Sequence, residues 1–172
     1  MSNLRYQSMA VFLAHAVALE REAVEQLNEV AHMMEVHNNR ALHELFIELA
    51  GYGLEHAESI ETLAGEHELP GLKPWEYEWP DDESPELGDT SDLHYQMTPL
   101  QALKLALSSE LKAQNFYRDI AENSESAEIR ALAGEFAQEG AEHVELLQAR
   151  LKITPEVGRD WGADLDPPHM PE

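Results

Sequence analysis

The chain has 172 residues, with 34 acidic side chains against 11 Lys and Arg and a formal net charge of -23 at pH 7. This length suits a single domain over 1–172, and so negative a surface repels phosphate backbones and anionic lipids, which argues against nucleic acid and membranes as partners. Because the chain has no cysteine, disulfides, thiolate metal sites and iron-sulfur clusters are excluded, and any metal must be held by oxygen and nitrogen.

The first two predicted elements are helices joined by a short connection. Apolar residues recur at the three-and-four spacing of a helix face over 8–36, and again over 40–65. Asn38 and Asn39 supply the break and the N-cap between the two stripes. Since this connection is short, the two helices are predicted to lie antiparallel.

A long connection and two further helices follow. Residues 66–98 are rich in proline, acidic and aromatic residues and have no sustained period. Thr98 then provides an N-cap, followed at once by proline, for a third helix over 99–122. A last apolar stripe predicts a fourth helix over 126–152, and the proline-rich tail 153–172 is predicted to be irregular.

Two helical hairpins joined in this way predict an all-α fold, a four-helix bundle with a long crossover between helices 2 and 3. A connection of this length can return the third helix parallel to the second. Trp75, Trp79 and Trp161 lie in the irregular segments, which cannot bury them alone, so a homodimer is predicted. The chain has no long continuous apolar segment, and we therefore expect a cytoplasmic protein.

The two hairpins resemble each other in sequence. The segment ALEREAVEQL (18–27) aligns with SSELKAQNFY (108–117) at an offset of 90 residues, and GLEHAESI (53–60) aligns with GAEHVELL (140–147) at an offset of 87. The difference between the offsets falls in the connection within each hairpin, where length varies most easily. An internal duplication is therefore predicted.

Each half of the duplication directs one Glu and one His toward the core. Glu20 and Glu110 occupy equivalent places on the apolar faces of the first and third helices, and His56 and His143 do so on the second and fourth. A metal ion would offset the cost of burying the carboxylates and would accept imidazole nitrogen as a ligand. Two metal-free Glu-His pairs that bridge the helices are the alternative. Outer faces, helix ends or loops are expected for His15, His32, His37, His43, His67, His94 and His169.

Three motifs carry a family resemblance over roughly residues 8–152. The patterns AxxLExEA in the first helix, ALxxALxxExxAxxFY in the third and FAxEGAEHVELL in the fourth resemble the ferritin-like superfamily, in particular its rubrerythrin-like branch. In that family two single Glu residues are terminal ligands, and two Glu-x-x-His motifs supply bridging carboxylates and imidazoles to two irons. The resemblance implies that Glu20, Glu110, His56 and His143 are metal ligands.

The chain departs from the family at both bridging positions. Gly53 and Gly140 stand where the family has its bridging Glu residues. Without bridges, two metals about 3.5 to 4 Å apart would be poorly held, whereas a single ion suits the remaining ligands. Replacement ligands are also considered: Glu139 lies one turn before the histidine of the fourth helix, and Tyr52 one turn before that of the second. Glu139 is preferred, because carboxylate is a commoner ligand than phenolate for hard metals.

The resemblance implies a metal-binding function, with iron as the expected cofactor and zinc or manganese as alternatives. If the protein is an enzyme, the family implies a non-haem iron oxidoreductase of the ferroxidase or peroxidase type. Rubrerythrins proper take up electrons through a cysteine-bound iron domain, so this cysteine-free chain would need an electron donor protein or Fe(II) itself. The alternative is a non-catalytic bundle used for metal sequestration or protein-protein contacts.

Overall fold

Four α-helices make up almost all of the computed structural model, which describes residues 8–65 and 97–155. They are α1 (Met9–Val36), α2 (Arg40–Ala64), α3 (Pro99–Asn123) and α4 (Ala127–Ile153), and these described ranges contain no strand. The helix ends agree with the predicted ones to within one residue. The prediction of an all-α four-helix bundle is confirmed.

Local capping signals fix the helix ends. Thr98 forms a capping box with Gln101: its hydroxyl accepts from the Gln101 backbone N–H at 3.2 Å, and its own N–H donates to Gln101 Oε1 at 3.0 Å. The side chain of Asn39 accepts from the Leu42 N–H at 3.1 Å at the start of α2. Asn38, with φ of 57°, makes the left-handed turn between α1 and α2, a conformation that Asn tolerates better than most residues.

Two apolar clusters, one toward each end of the bundle, draw on all four helices. The first cluster includes Phe12, Ile60, Ile120 and Ile129. The second cluster includes Met34, Phe46, Leu103 and Leu147. The first cluster thus joins the starts of α1 and α4 to the ends of α2 and α3, and the second joins their opposite ends.

The helix ends that lie in the same apolar cluster define the direction of each helix in the bundle. Because α2 and α3 end in the same cluster, they run parallel to each other and antiparallel to α1 and α4. The end of α2 and the start of α3 therefore lie at opposite ends of the bundle, about 37 Å apart for helices of this length. The closest packing is between α1 and α2 and between α3 and α4. The predicted crossover connection between the second and third helices therefore follows from the positions of the helices themselves.

Several predictions fall outside the described residues. These are the irregular character of most of the crossover 66–98 and of the tail 153–172, the three tryptophans behind the homodimer prediction, and the placement of His67, His94 and His169. In the part of the chain that the structure describes, no helix is long and apolar enough to cross a membrane.

His15 corrects one expectation from the sequence. It was expected on an outer face, but it is 2% exposed, and its Nδ1 lies 2.8 Å from the Val11 carbonyl oxygen one turn earlier. The three consecutive residues Ala14, His15 and Ala16 are all buried, so α1 is enclosed around much of its circumference here. The backbone carbonyl satisfies the imidazole, as a buried polar side chain requires.

Candidate functional site

A polar layer lies between the two apolar clusters. It contains the four side chains that the sequence directed inward, Glu20, His56, Glu110 and His143, whose exposed fractions lie between 11% and 27%. Each helix contributes one of them, at the point where its residues pass from one cluster to the other. The bundle thus holds four ionisable groups in a largely apolar setting, where each needs a partner.

Glu20 and His56 form the tighter of two Glu-His pairs. Glu20 Oε1 lies 3.1 Å from His56 Nδ1, and the same oxygen accepts a hydrogen bond from the Tyr117 hydroxyl at 3.1 Å. The ring of Phe136 meets the imidazole edge-on, with centroids 4.7 Å apart. The sequence analysis did not predict this contact, although a buried phenol generally needs a polar partner.

Glu110 and His143 form the looser pair. Glu110 Oε1 lies 3.7 Å from His143 Nδ1, which is ion-pair range but too long for a hydrogen bond. At the offset of 90 residues that relates the two halves, the position equivalent to Tyr117 is Leu27. A leucine has no hydroxyl to donate, so Glu110 lacks the support that Glu20 has.

Two equivalent residues reach across the bundle to the opposite histidine. Glu139 in α4 places Oε2 3.0 Å from Nε2 of His56 in α2. Tyr52, which precedes Glu139 by the offset of 87 residues, stacks on His143, with centroids 5.9 Å apart and planes 19° apart. The contacts are therefore reciprocal, but one histidine meets a carboxylate and the other meets a phenol ring.

Tyr52 does not act as a replacement ligand in this geometry. Its hydroxyl donates to Glu48 Oε1 at 2.9 Å. This hydrogen bond, together with the negative charge of Glu48, raises the pKa of Tyr52 and keeps the phenol protonated. The sequence suggested Glu139 and Tyr52 as replacement ligands. Of these two, only Glu139 brings a charged group close to a histidine of the layer.

A cleft between α2 and α4 gives access to this layer. It has a volume of about 660 Å³, and both histidines and Glu139 line it. Glu48, Glu55 and Glu142 add carboxylates to its walls. Over the described ranges, no three His, Asp or Glu side chains are already arranged around a common metal position. The inward groups thus lie as two Glu-His pairs beside an acidic cleft.

The two histidines are electrostatically coupled to the surrounding carboxylates. Burial lowers the pKa of His56, but the contact with Glu20 and the charges of Glu20 and Glu139 outweigh that effect and raise the pKa overall. The contact with Glu110 is the largest cause of the raised pKa of His143, against the opposing effect of burial. Without metal, both imidazoles are therefore biased toward the charged form.

The two glycines at the bridging positions have different surroundings. A Cβ added to Gly53 would lie 3.0 Å from Val24 Cγ2 and 4.0 Å from Glu20 Oε2. A Cβ added to Gly140 would lie 3.8 Å from Gln114 Cβ, an ordinary contact. Gly53 thus permits the close approach of α2 to α1, whereas nothing in its surroundings requires Gly140 to be glycine.

Comparison with known proteins identifies one informative relative. No protein-family model and no curated protein matches the chain. Among solved structures, it is similar to a conserved protein from Magnetospirillum magnetotacticum MS-1, described as uncharacterized, with 38% sequence identity and a TM-score of 0.75. The match covers 88% of this chain and 98% of that one. The chain belongs to the family of this conserved protein.

Family membership supports the four-helix fold, but the description of the relative names no ligand or activity. Function must therefore be argued from the donor atoms. Two imidazoles and three carboxylates form a donor set that suits Zn²⁺, Fe²⁺ or Mn²⁺. Nε2 of His56 is buried and makes no hydrogen bond, although Glu139 Oε2 lies 3.0 Å away at ion-pair distance. The positions of the bridging carboxylates are occupied by Gly53 and Gly140, so the described residues contain no carboxylate bridge between the two Glu-His pairs.

Proposed function

We propose that the protein is a ferritin-like, rubrerythrin-type bundle that binds one divalent metal ion, with iron as the first candidate and zinc or manganese as alternatives. The observation that carries the proposal is the buried Nε2 of His56, which makes no hydrogen bond although Glu139 Oε2 lies 3.0 Å away, in a layer of imidazole and carboxylate groups. A buried polar atom that makes no hydrogen bond lowers the free energy of unfolding. A cation that used it as a ligand would remove that cost.

The candidate ligands for the ion are His56, His143, Glu20, Glu110 and Glu139. Bound iron would supply redox chemistry toward dioxygen or peroxide, and the chain's own residues would control access and orientation. Phe136 and the two apolar clusters keep water from the inner side of the layer. The cleft leaves its outer side open, and the net charge of -23 favours the approach of cations.

Electron supply and assembly complete the proposal. With no cysteine for an iron domain of its own, the protein would take electrons from a donor protein or from Fe(II).

A homodimer would cover the tryptophans of the crossover and tail. Light scattering at high micromolar concentration tests the dimer, and a monomer there would contradict it.

The second candidate function is a non-catalytic bundle used for protein-protein contacts. It is favoured by the two Glu-His contacts, 3.1 Å and 3.7 Å long, which already partner each inward carboxylate without a metal. In that case the imidazolium and carboxylate groups would serve only to bridge the helices. Metal content separates the two candidates.

The first test is metal-dependent stability. The protein is purified without added metal, analysed for bound elements and unfolded in urea with and without Zn²⁺, Mn²⁺ or anaerobic Fe²⁺. An ion that binds only the folded state raises the free energy of unfolding by about 2.7 kcal/mol at a hundred times its dissociation constant. His56→Ala with His143→Ala should remove that gain.

The matched control is His32→Ala, which removes an exposed imidazole of α1 outside the layer. It should leave the stabilisation by metal unchanged. Equal responses from the parent and the double histidine variant would contradict the metal-binding function and favour the non-catalytic bundle. With a metal site established, oxygen or peroxide consumption by the Fe²⁺-loaded protein tests for oxidoreductase activity.

A further inference from the structure

We infer that the ion lies on the cleft side of His56, bound by its Nε2 and by Glu139, and that Glu20 is a positioning residue rather than a ligand. This inference rests on the proposed binding of a divalent ion. It differs from the arrangement that the family resemblance implies, in which the single Glu of the first helix is itself a ligand.

The inner side of the His56 imidazole is already engaged. The Tyr117 hydroxyl donates to Glu20 Oε1, and that oxygen lies 3.1 Å from Nδ1 of His56. A carboxylate beside one nitrogen of a metal-binding histidine fixes the orientation of the ring. Glu20, itself held by Tyr117, therefore fixes the His56 ring with Nε2 toward Glu139, where an ion would replace the proton on that nitrogen.

The cleft side of the His56 imidazole offers two donor atoms for an ion. Nε2 is buried and has no hydrogen-bond partner, and Glu139 Oε2 lies 3.0 Å from it. Imidazole nitrogen and carboxylate oxygen are both ligands of zinc and of iron. Glu139 is 55% exposed and lines the cleft, so it can shift to admit an ion together with water.

The other half of the layer does not repeat this arrangement. The ring of Tyr52 covers His143 at the place where Glu139 meets His56. Its hydroxyl is engaged with Glu48, so it brings no charged donor to His143. One ion per chain, in the half that contains His56, is the result expected.

Nitrogen NMR of the zinc-loaded protein tests the inference directly. In uniformly ¹⁵N-labelled protein, multiple-bond ¹⁵N–¹H correlation spectra distinguish the two ring nitrogens of each histidine, and His56→Ala assigns the signals. Zinc should shift Nε2 of His56, while Nδ1 keeps its proton. Zinc on Nδ1 would overturn the inference, as would a His56 spectrum that zinc leaves unchanged.

Two carboxylate variants give an independent measurement by zinc titration calorimetry. Glu139→Gln should weaken zinc binding at least about tenfold, since it removes a ligand. Glu142→Gln, which removes the same charge from the wall of the same cleft, should change the affinity much less. Equal losses in the two variants would assign the effect to the general negative charge and overturn the inference. Both substitutions are at the surface, and circular dichroism checks that the variants fold.

Glu20→Gln tests whether zinc binding depends on the residue that orients His56. It should weaken zinc binding by about 10- to 100-fold, as loss of a carboxylate outside the coordination sphere does, and zinc should remain on Nε2. If zinc is found on Nδ1 and is lost with both histidines, the proposed function stands and this inference fails. If the parent binds no zinc, manganese or iron, both fail together.

Discussion

The Tyr117 hydroxyl in α3 donates a hydrogen bond to Glu20 Oε1 in α1, a residue 97 positions earlier in the chain, at 3.1 Å. The bond joins the two hairpins at the level of the polar layer. Leu27 stands at the equivalent position in the other half, so this connection occurs once in the pair of repeats. The two sequence-similar halves thus differ chemically around their histidines.

Tyr117→Phe should lower the free energy of unfolding by about 1 kcal/mol, because it leaves a buried carboxylate with one donor fewer. Urea unfolding followed by circular dichroism measures the change. Tyr52→Phe is the control: its hydroxyl is at the surface on Glu48, and the change should stay within about 0.5 kcal/mol. Equal losses in both variants would show that the contact with Glu20 contributes nothing.

The two glycines at the bridging positions should respond differently to alanine. Gly140→Ala should gain up to about 1 kcal/mol from helix propensity, because the new Cβ meets nothing closer than 3.8 Å. Gly53→Ala should gain less or lose stability, because its Cβ would lie 3.0 Å from Val24 Cγ2.

The controls for this comparison are Gly51→Ala in α2 and Gly134→Ala in α4, where an added Cβ meets nothing within 4 Å. Both should show the full gain from propensity. Thermal unfolding of the four variants provides the measurement. If Gly53→Ala gains as much as Gly51→Ala, the close approach of α2 to α1 does not depend on glycine.

Stability without metal should depend on pH through His56 and His143. Both have a raised pKa in the folded state, so their contribution is fully present below the unfolded pKa of about 6.5 and is lost as pH rises through the folded pKa. The difference in free energy of unfolding between the parent and the double alanine variant should therefore shrink from about pH 6 to pH 9. A difference that stays constant or grows with pH would contradict this. His32→Ala again serves as the control.

Restoring the bridging carboxylates should increase iron binding only when space is made for both. The Cβ of Gly140→Glu would make only an ordinary contact, whereas that of Gly53→Glu would lie 3.0 Å from Val24 Cγ2, so the informative variant combines both glutamates with Val24→Ala. It should bind close to two irons per chain, measured by elemental analysis after anaerobic loading. Gly134→Glu, which adds an acidic residue at an open position of α4, should leave the iron content unchanged. A count that stays at one in the combined variant would show that the backbone of the layer no longer accepts a bridged pair.

Local sequence signals were enough to determine the helices and which faces they bury. Capping residues such as Thr98 and Asn39 act on the backbone of the next three residues, and the 3.6-residue period assigns inner and outer faces without knowledge of the partner helix. For the same reason the inward directions of Glu20 and His56 could be predicted. The relation between the two halves was visible in the sequence offsets alone.

The tertiary structure decided which of these groups touch and through which atoms. The partner of each side chain depends on the rotation and axial offset of helices far apart in sequence, which a periodic pattern does not record. Three contacts could therefore not be predicted. They are the approach of Glu139 to Nε2 of His56, the hydrogen bond from Tyr117 to Glu20, and the contact that an added Cβ at Gly53 would make with Val24. The burial of His15 was missed for the related reason that neighbouring elements enclose α1 on more than its apolar face. The sequence identified the ionisable groups of the layer, and the packing of four helices paired them, because contact distances follow from how the helices dock.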